Sequence, residues 1–174
     1  NDMPNIQKVV KFILYVDDAN IILTGANAHE LICKYNELSK LLADWVASND
    51  LQLNVKKTNY MIFSNINIGH LVDYEPKMLN RPIERKKIAK FLGVHIDDNL
   101  HWTHHINTLC TKISKNSWIL YKMKGILPQK IMKTLFHSFI QSHLNYCTSI
   151  WGLGTKNSLK KLFVCQKKAI RTLT

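Results

Sequence analysis

The sequence predicts an α+β fold, in which antiparallel β-hairpins and one packed helix are followed by a small helical bundle. Two apolar runs flank Asp17-Asp18 within Phe12–Leu23, a pattern typical of a hairpin. Apolar residues at three-to-four spacing over His29–Ala47 indicate an amphipathic helix. After His101 the strand patterns stop and three helical segments follow, which with short connections make a bundle.

The elements before residue 100 are mainly strands. We expect the first hairpin to pair Val9–Tyr15 with Ala19–Thr24, and we expect Asn27 to cap the helix, whose apolar face covers a sheet. NYMIFS at Asn59–Ser64 predicts another strand. Lys86–Ile96 predicts one more, and its internal Gly93 indicates a bulge or a close backbone approach.

Turn residues separate the later strands. HLVDYE at residues 70–75 could pair with Met78–Ile83, and Pro76 and Pro82 limit both segments to edge positions. Asp97-Asp98-Asn99 follows a strand and is expected to be an ordinary solvated turn.

The helical half is divided by glycine and proline. Thr103 is expected to cap a helix to about Lys124, and Pro128 suits the start of a second at about Gln129–His143, with Ile131, Leu135 and Phe139 inward. A connection with Trp151 packed down leads to a last helix from about Ser158.

Composition indicates a folded globular protein. The chain has 174 residues, 46% of them hydrophobic, enough for a core in one domain or two small ones. No apolar run approaches the roughly 18 residues that span a bilayer, and the first residues lack the layout of a secretory signal. We expect a soluble intracellular protein with no membrane partner.

The four cysteines indicate neither a disulfide scaffold nor a structural zinc site. Cys33, Cys110, Cys147 and Cys165 lie far apart and form no C-x-x-C pair. Each lies in a helix-like segment, so we expect buried free thiols.

Charge is divided unevenly along the chain. Residues 1–100 contain all 12 acidic side chains and 12 of the 24 Lys and Arg, whereas residues 101–174 contain 12 Lys and Arg and no acid. A solvated helical face normally mixes both signs, so this half is expected to bind a polyanion. Nucleic acid is the first candidate and an anionic membrane surface the second. The aromatic residues follow helical spacing and are expected to be mostly core rather than base-stacking.

The adjacent aspartates allow two interpretations. Two neighbouring carboxylates repel each other unless a cation neutralises them, and Mg²⁺ prefers carboxylate oxygens with its other positions filled by water and phosphate. Aspartate is also favoured in ordinary turns, because its side chain forms local hydrogen bonds. For an arbitrary pair of aspartates between two strands, the turn interpretation is the favoured one. The sequence around the pair must decide between a metal site and an ordinary turn.

An ordered series of motifs supplies that context. Tyr15-Val16-Asp17-Asp18 resembles the YxDD hairpin of reverse transcriptases, and NDMP at Asn1–Pro4 resembles the NDLP-type segment that precedes it. LQLNVKKTNYMIFS at Leu51–Ser64 is similar to the LNxxKTxxMxF segment, and KFLGVHIDDNLHWTHHI at Lys90–Ile106 to the FLGV segment that includes the primer grip. The chain therefore resembles the second half of the reverse transcriptase of non-LTR, LINE-like retrotransposons of the jockey type.

This resemblance implies a partial palm at residues 1–100 and a basic helical thumb with its extension at residues 101–174. It implies two-metal nucleotidyl transfer by an RNA-directed DNA polymerase, with Mg²⁺ or Mn²⁺ as cofactor. The implied partners are an RNA template and a DNA primer, held as an RNA–DNA hybrid, and deoxynucleoside triphosphates. The context of a retrotransposon implies action in the nucleus or cytoplasm.

The resemblance also assigns roles to residues. Asp17 would be the more direct metal ligand, Asp18 would contribute to the same site, and Tyr15 would lie under the primer end. Lys57 would protonate the leaving pyrophosphate or merely contact triphosphate or solvent, and the two are weighed equally. Phe91-Leu92-Gly93 would hold the primer backbone, or else be a close-packed strand. The residues expected along the nucleic-acid backbone are Lys112, Lys115, Lys122, Lys130, Lys133, Lys160, Lys161, Lys167, Lys168 and Arg171.

Histidines near the start of the thumb could suggest a metal site. His101, His104 and His105 lie near Cys110, but no carboxylate or cysteine pair completes a tetrahedral set. The family pattern already accounts for His105 and Ile106 as a thumb element.

Part of the family's active site has no counterpart in this sequence. A third carboxylate and the fingers would precede Asn1, so we expect a fragment that is inactive alone and needs the missing N-terminal half of the polymerase. The alternative is a non-catalytic nucleic-acid-binding remnant. A membrane-surface protein is the poorest of the three interpretations, because the helices lack a concentrated aromatic face.

Overall fold

The computed structural model describes residues 3–7, 10–64 and 74–173 and combines helices with short antiparallel hairpins, as the α+β prediction requires. The chain divides into two compact units, Asn1–Lys86 and Lys87–Thr174. The hairpin that contains Gly93 therefore belongs to the same unit as the helices that follow it. The assignment of residues 1–100 to a palm and 101–174 to a thumb stays a prediction.

The first unit consists of short strands around one long helix. Its elements are a 3-10 turn at Met3–Ile6, β1 (Lys11–Tyr15), β2 (Asp18–Ile22), α1 (Ala28–Ser48), β3 (Asn59–Tyr60), β4 (Lys77–Met78), β5 (Arg81–Pro82) and β6 (Glu84–Arg85). Strands β1 and β2 pair antiparallel, as do β4 and β5, while β3 pairs parallel with β6.

Helix α1 begins at a side-chain cap. The Asn27 side chain accepts a hydrogen bond from the backbone N–H of Glu30 at 2.9 Å, and the Glu30 carboxylate accepts one from the N–H of Ala26 at 2.7 Å. These two bonds satisfy amides that the helix itself cannot pair. The predicted cap at Asn27 is confirmed, and the helix extends one residue beyond each predicted end.

The core of the first unit lies between α1 and the hairpins. Leu38 and Leu42 of α1 are almost fully buried, and Phe12, Leu14 and Ile21 of the first hairpin pack against the same cluster. Burying such side chains stabilises the fold by about 1.5–3 kcal/mol each. The prediction that α1 covers a sheet is confirmed.

Two strand predictions in this unit need correction. The predicted strand at Asn59–Ser64 forms only at Asn59 and Tyr60. Met78–Ile83 bends back on itself, because Leu79 and Asn80 both adopt positive φ and make a two-residue turn between β4 and β5. Its predicted partner at residues 70–75 lies largely outside the described residues.

The second unit is mostly helical. Its elements are β7 (Ile88–Phe91), β8 (Val94–Asp97), α2 (Thr103–Met123), α3 (Gln129–Phe136), a π-helical turn (His137–Gln141), α4 (Ser142–Asn145), α5 (Thr148–Trp151) and α6 (Lys156–Ile170). Strands β7 and β8 form an antiparallel hairpin. No helix in the described part of the chain is long and apolar enough to cross a membrane.

The core of the second unit is centred on α2. Ile106, Ile113 and Leu120 of α2 are completely buried, and they share a cluster with Trp151 and with Leu162 of α6. These α2 positions recur every seven residues, so they lie on one face of the helix. The prediction that Trp151 packs down is confirmed.

The inward face of α3 differs from the prediction. Ile131 is 46% and Phe139 40% exposed, whereas Met132, Phe136 and Ile140 are buried. The helix carries two neighbouring apolar rows, and the buried row repeats every four residues. The π-helical turn, with more residues per turn than an α-helix, keeps Ile140 in line with that row.

The start of α2 also differs from the prediction. Thr103 is the first helical residue, and the N-cap is Trp102, which makes no side-chain capping bond. Instead the Asp97 carboxylate accepts hydrogen bonds from the backbone N–H groups of His101 and Trp102, each at 2.8 Å. Asp98 and Asn99 form the expected turn, but Asp97 is the half-buried last residue of β8, so the prediction of an ordinary solvated turn is only partly correct.

All four cysteines are free thiols, but they are less buried than predicted. Cys33 is exposed on α1, and the other three are half-buried. Cys147 lies outside the helices in a left-handed conformation, just before α5.

Candidate functional site

The aspartate pair lies at the tip of the first hairpin. Tyr15 pairs with Asp18 across the two strands, which leaves Val16 and Asp17 as a two-residue loop. Asp17 is therefore in the turn and Asp18 is the first residue of β2. Side-chain packing of the apolar flanks onto α1 fixes this register, because a slip by one residue would turn every buried side chain to solvent.

The turn itself is held in an unfavourable conformation. Val16 has φ of 55° and is 90% exposed. Positive φ at the first loop position is normally the place of glycine, and a β-branched residue there costs on the order of 1–3 kcal/mol. The packed strands hold the tip in this shape, and strain of this kind concentrates at functional sites.

The carboxylates of the tip are open to solvent. Asp17 and Asp18 are exposed, Tyr15 beside them is 56% exposed, and neither aspartate makes an ion pair within the described residues. No group of three or more His, Cys, Asp or Glu suited to a metal ion occurs in that part of the chain. The tip therefore presents two adjacent, solvent-exposed carboxylates.

Lys57 lies in a tight turn after α1. Its backbone N–H donates to the carbonyl of Asn54 at 3.0 Å, and its side chain is exposed. The turn fixes the backbone of Lys57 and leaves its ammonium group in solvent. Its predicted role toward a triphosphate stays a prediction.

Phe91-Leu92-Gly93 forms the tip of the second hairpin. Phe91 pairs with Val94, and Leu92 and Gly93 make the two-residue turn with φ of 44° and 86°. Gly93 therefore lies in a hairpin turn and not inside a strand, which corrects the prediction of a bulge. The Tyr146 hydroxyl donates to the Leu92 carbonyl at 2.6 Å and ties the tip to the helical bundle.

Three histidines cluster beneath this hairpin. The His105 side chain is 3% exposed, and its Nδ1 accepts a hydrogen bond from the backbone N–H of His95 at 3.3 Å. The rings of His95 and His104 are 5.0 Å apart. Burial, with the added repulsion of nearby cationic groups, lowers the pKa of His105 to about 4 and lowers that of His95 as well. His105 is thus a neutral core group that fastens β8 to α2.

The basic side chains cover the second unit. Residues 87–174 contain 14 Lys and Arg and two Asp, while residues 1–86 contain ten of each sign. The ten basic residues predicted to follow the nucleic-acid backbone are all exposed. Both ion pairs seen in the described residues lie in the first unit, at Glu30–Lys34 and Glu84–Lys86. The lysines of the second unit therefore keep their charge available for an external anion.

Sequence reasoning missed several of these features. Tyr146 is 54 residues from its partner Leu92, and no local pattern connects them. The aromatic residues were expected to be mostly core, but the side chains of Trp118 and Tyr121 are 62% and 63% exposed. Trp118 follows the buried Ile113 by five residues, about 140° around the helix, and this angle was the available signal.

Curated proteins similar to this chain are RNA-directed DNA polymerases of transposons, and the similarity covers 92–99% of the chain. The chain is thus homologous to the reverse transcriptases of jockey-type non-LTR transposons, as its motifs predicted.

Two relatives show the extent of the match. The probable RNA-directed DNA polymerase from transposon X-element of Drosophila melanogaster is 22% identical over 165 residues, covering 92% of this chain and 18% of the relative. The RNA-directed DNA polymerase from mobile element jockey of Drosophila funebris is 24% identical over 185 residues, covering 99% of this chain and 20% of the relative. The chain spans about a fifth of the length of these relatives. No family model matches the chain, and no solved structure matches it significantly.

Proposed function

We propose that this chain forms part of an RNA-directed DNA polymerase and carries two of its active-site carboxylates. The supporting observation is the pair Asp17-Asp18, exposed at the tip of a strained hairpin, in a chain homologous to such polymerases over nearly its whole length. Positive φ also occurs in the β4–β5 turn, at Leu79 and Asn80, so it is the adjacent exposed acids that distinguish this tip.

The donor atoms at this tip fit a divalent metal. Asp17 and Asp18 offer only carboxylate oxygens, which Mg²⁺ and Mn²⁺ prefer, and their exposure leaves space for further ligands. When bound, the metal ions supply activation of a primer hydroxyl and neutralisation of charge on the phosphate. The remaining ligands would come from water, from the triphosphate and from the rest of the polymerase.

The other residues of the proposed site position the nucleic acid. Tyr15, beside the carboxylates, would contact the primer end. The Lys57 ammonium group would contact the triphosphate. It would either donate a proton to the leaving pyrophosphate or only form an ion pair with the triphosphate. The turn Phe91-Leu92-Gly93, tied down by Tyr146, would hold the primer backbone. The exposed lysines of the second unit would contact phosphates of the RNA–DNA hybrid.

Substitution of Asp17 tests this proposal. The assay is primer extension on an RNA template by the chain combined with the N-terminal portion of a jockey-type polymerase. We expect Asp17→Asn to lower the extension rate about a hundredfold or more, the scale seen when one preorganised electrostatic group is removed. Binding of the RNA–DNA hybrid should not change, because Asp17 contributes to chemistry and not to affinity.

Asp44→Asn is the matched control, since it removes the same charge from an exposed position on α1. Full extension by Asp17→Asn would show that the hairpin is not the active site. That result, with salt-dependent hybrid binding retained, would instead favour the non-catalytic binding module.

A further inference from the structure

The outward face of α2 carries an exposed aromatic ring among lysines. We define the Trp118 strip as Lys115, Trp118, Ile119 and Lys122. All four side chains are exposed, and they lie on the side of α2 opposite the buried Ile113. Because tryptophan is highly buried on average in folded proteins, a ring that is 62% exposed needs a reason.

The strip has the shape and charge of a ligand-binding surface. Lys115, Trp118 and Ile119, with Ser114, line a shallow groove of about 510 Å³. The Lys122 ammonium lies 5.6 Å from the centre of the Trp118 ring. Cations therefore flank the indole one helical turn before it and one turn after it, and Lys122 is long enough to move from the ring to a phosphate.

We propose that the Trp118 strip binds single-stranded nucleic acid, with one unpaired base stacked on Trp118 and the neighbouring phosphates on Lys115 and Lys122. This inference rests on the proposed function for the class of partner. It adds a site for an unpaired strand and assigns Lys115 and Lys122 to that strand, while the other exposed lysines of the second unit stay with the primer–template hybrid.

Charge identifies the partner as a polyanion. Residues 99–174 contain no Asp or Glu, so an approaching anion meets no opposing carboxylate on the helices of this unit. A purely apolar protein segment would leave the lysines without partners, whereas a nucleotide satisfies the aromatic ring and the cations together. Base-aromatic stacking with flanking lysines is the general mode of binding to single strands.

The same geometry excludes a duplex as the ligand of the ring. Paired bases are already stacked on their neighbours, and their faces cannot reach a side chain without unstacking. An indole on the convex surface of a helix can stack only on a base that is free to turn outward. The strip therefore selects an unpaired strand.

The test compares binding of two probes, a short fluorescein-labelled oligouridylate and an RNA–DNA hybrid, to the full chain. We expect Trp118→Ala to weaken oligouridylate binding about tenfold, since stacking contributes about 1–3 kcal/mol per base. Hybrid affinity should change less than about twofold, and the salt slope should stay the same because every cation is retained. Trp118→Phe should recover most of the affinity, while Lys122→Gln should lower the salt slope by about 0.7.

Leu153→Ala is the control, because this leucine is 85% exposed in the same unit but is not part of the strip. Equal oligouridylate affinity of Trp118→Ala and the unaltered chain would overturn the proposal. Equal weakening of both probes would also overturn it, because the ring would then serve the duplex. Protection of Trp118 by the rest of the polymerase, with oligouridylate affinity unchanged, would identify a protein occupant and overturn it as well.

The result of the Trp118 binding test does not depend on the result of the Asp17 extension test. Loss of oligouridylate binding on Trp118→Ala supports the strip even if Asp17→Asn leaves primer extension intact. Conversely, if Asp17→Asn abolishes primer extension and Trp118→Ala does not change oligouridylate binding, the polymerase assignment stands and only the role of the Trp118 strip is rejected.

Discussion

Val16 and His105 are both held in states that cost free energy, and each stands beside a proposed functional element. Val16 adopts positive φ at the tip that presents Asp17 and Asp18. His105 is buried without charge beneath the hairpin that contains Leu92, and its Nε2 has no hydrogen-bond partner among the described residues. Such costs persist only where the surrounding packing determines the conformation.

His105 should make the stability of the second unit depend on pH. The groups around it are His95 on β8, Lys112 and His104 on α2, and Trp151 on α5, so no carboxylate favours its protonation. Its pKa falls from the ordinary value of 6.5 to about 4 on folding, mainly because of burial. Between these pH values His105 is protonated in the unfolded chain but stays neutral in the folded chain. The free energy of unfolding therefore falls as pH drops from about 6.5 toward 4.

We expect urea unfolding to show a loss of roughly 3 kcal/mol from this group over that interval. His105→Asn keeps an acceptor for the His95 N–H and removes the titration. The variant should be less stable near neutral pH but should have a flatter pH profile. His137→Asn, at an exposed position, should keep the original profile. An unchanged pH profile in His105→Asn would contradict this explanation.

The positions of some single residues could be predicted from the sequence, and the contacts of others could not. Asp17 and Asp18 could be placed at a hairpin tip because the apolar runs beside them fix the register locally. The contact of His95 with His105 could not be predicted, because it forms only when the hairpin docks on α2. The exposure of Trp118 follows from its angle on α2, about 140° around the helix from the buried Ile113.

Two-residue turns close the β1–β2 and β7–β8 hairpins, as one also closes β4–β5, and different residues occupy the turns. The loop of the first hairpin begins with a strained valine, while the second has Leu92 and Gly93, both at positive φ. Right-handed strand twist favours such turns, and glycine is the residue that adopts them at least cost. The second tip gains a further restraint from the bond between Tyr146 and Leu92.

Gly93→Ala should therefore destabilise the second unit by about 1–2 kcal/mol, because positive φ is unfavourable for alanine. The added methyl would lie 3.5 Å from Tyr146 Cε1, an ordinary contact, so crowding adds little. Gly93→Asn is the matched control and should cost less, since asparagine tolerates this conformation. The measurement is the midpoint of urea unfolding. Equal destabilisation by both variants would show that crowding, and not the positive φ, sets the cost of replacing Gly93.

Long periodic elements were predictable and their details were not. Helices α1 and α2 lie within one residue of their predicted ends, because apolar periodicity over five turns outweighs local exceptions. On α3 the choice between two adjacent apolar rows was wrong for Ile131 and Phe139, because periodicity alone does not say which of two neighbouring rows faces the core. The cap of α2 was also wrong, because Thr103 is the first helical residue and the Asp97 carboxylate of β8 holds the N–H groups of His101 and Trp102 just before it.

On the scale of the whole chain, net charge distinguishes the two units. Residues 1–86 carry balanced charge and the candidate carboxylates, and residues 87–174 carry an excess of 12 positive charges. Mutual repulsion among so many lysines destabilises a compact unit, and a bound polyanion relieves it. Under the proposed function, the acidic tip would serve metal-assisted chemistry and the basic surface would retain nucleic acid.

This division predicts where the salt dependence of binding originates. The logarithm of the affinity for an RNA–DNA hybrid should fall linearly with the logarithm of salt concentration, by about 0.9 for each phosphate neutralised. Replacing Lys167 and Lys168 by Gln should reduce that slope by about one for each phosphate that is no longer neutralised. Replacing the exposed Lys40 and Lys77 of the first unit by Gln should leave it unchanged.

Fluorescence anisotropy titrations at several salt concentrations give these slopes directly. Equal reductions from both pairs would show that hybrid binding depends on total charge and not on the helical unit. A smaller slope for the Lys167 and Lys168 variant alone would locate phosphate-binding side chains on α6. Because counterion release depends on the cations that touch the backbone, the slope reports those cations even where the affinity change is small.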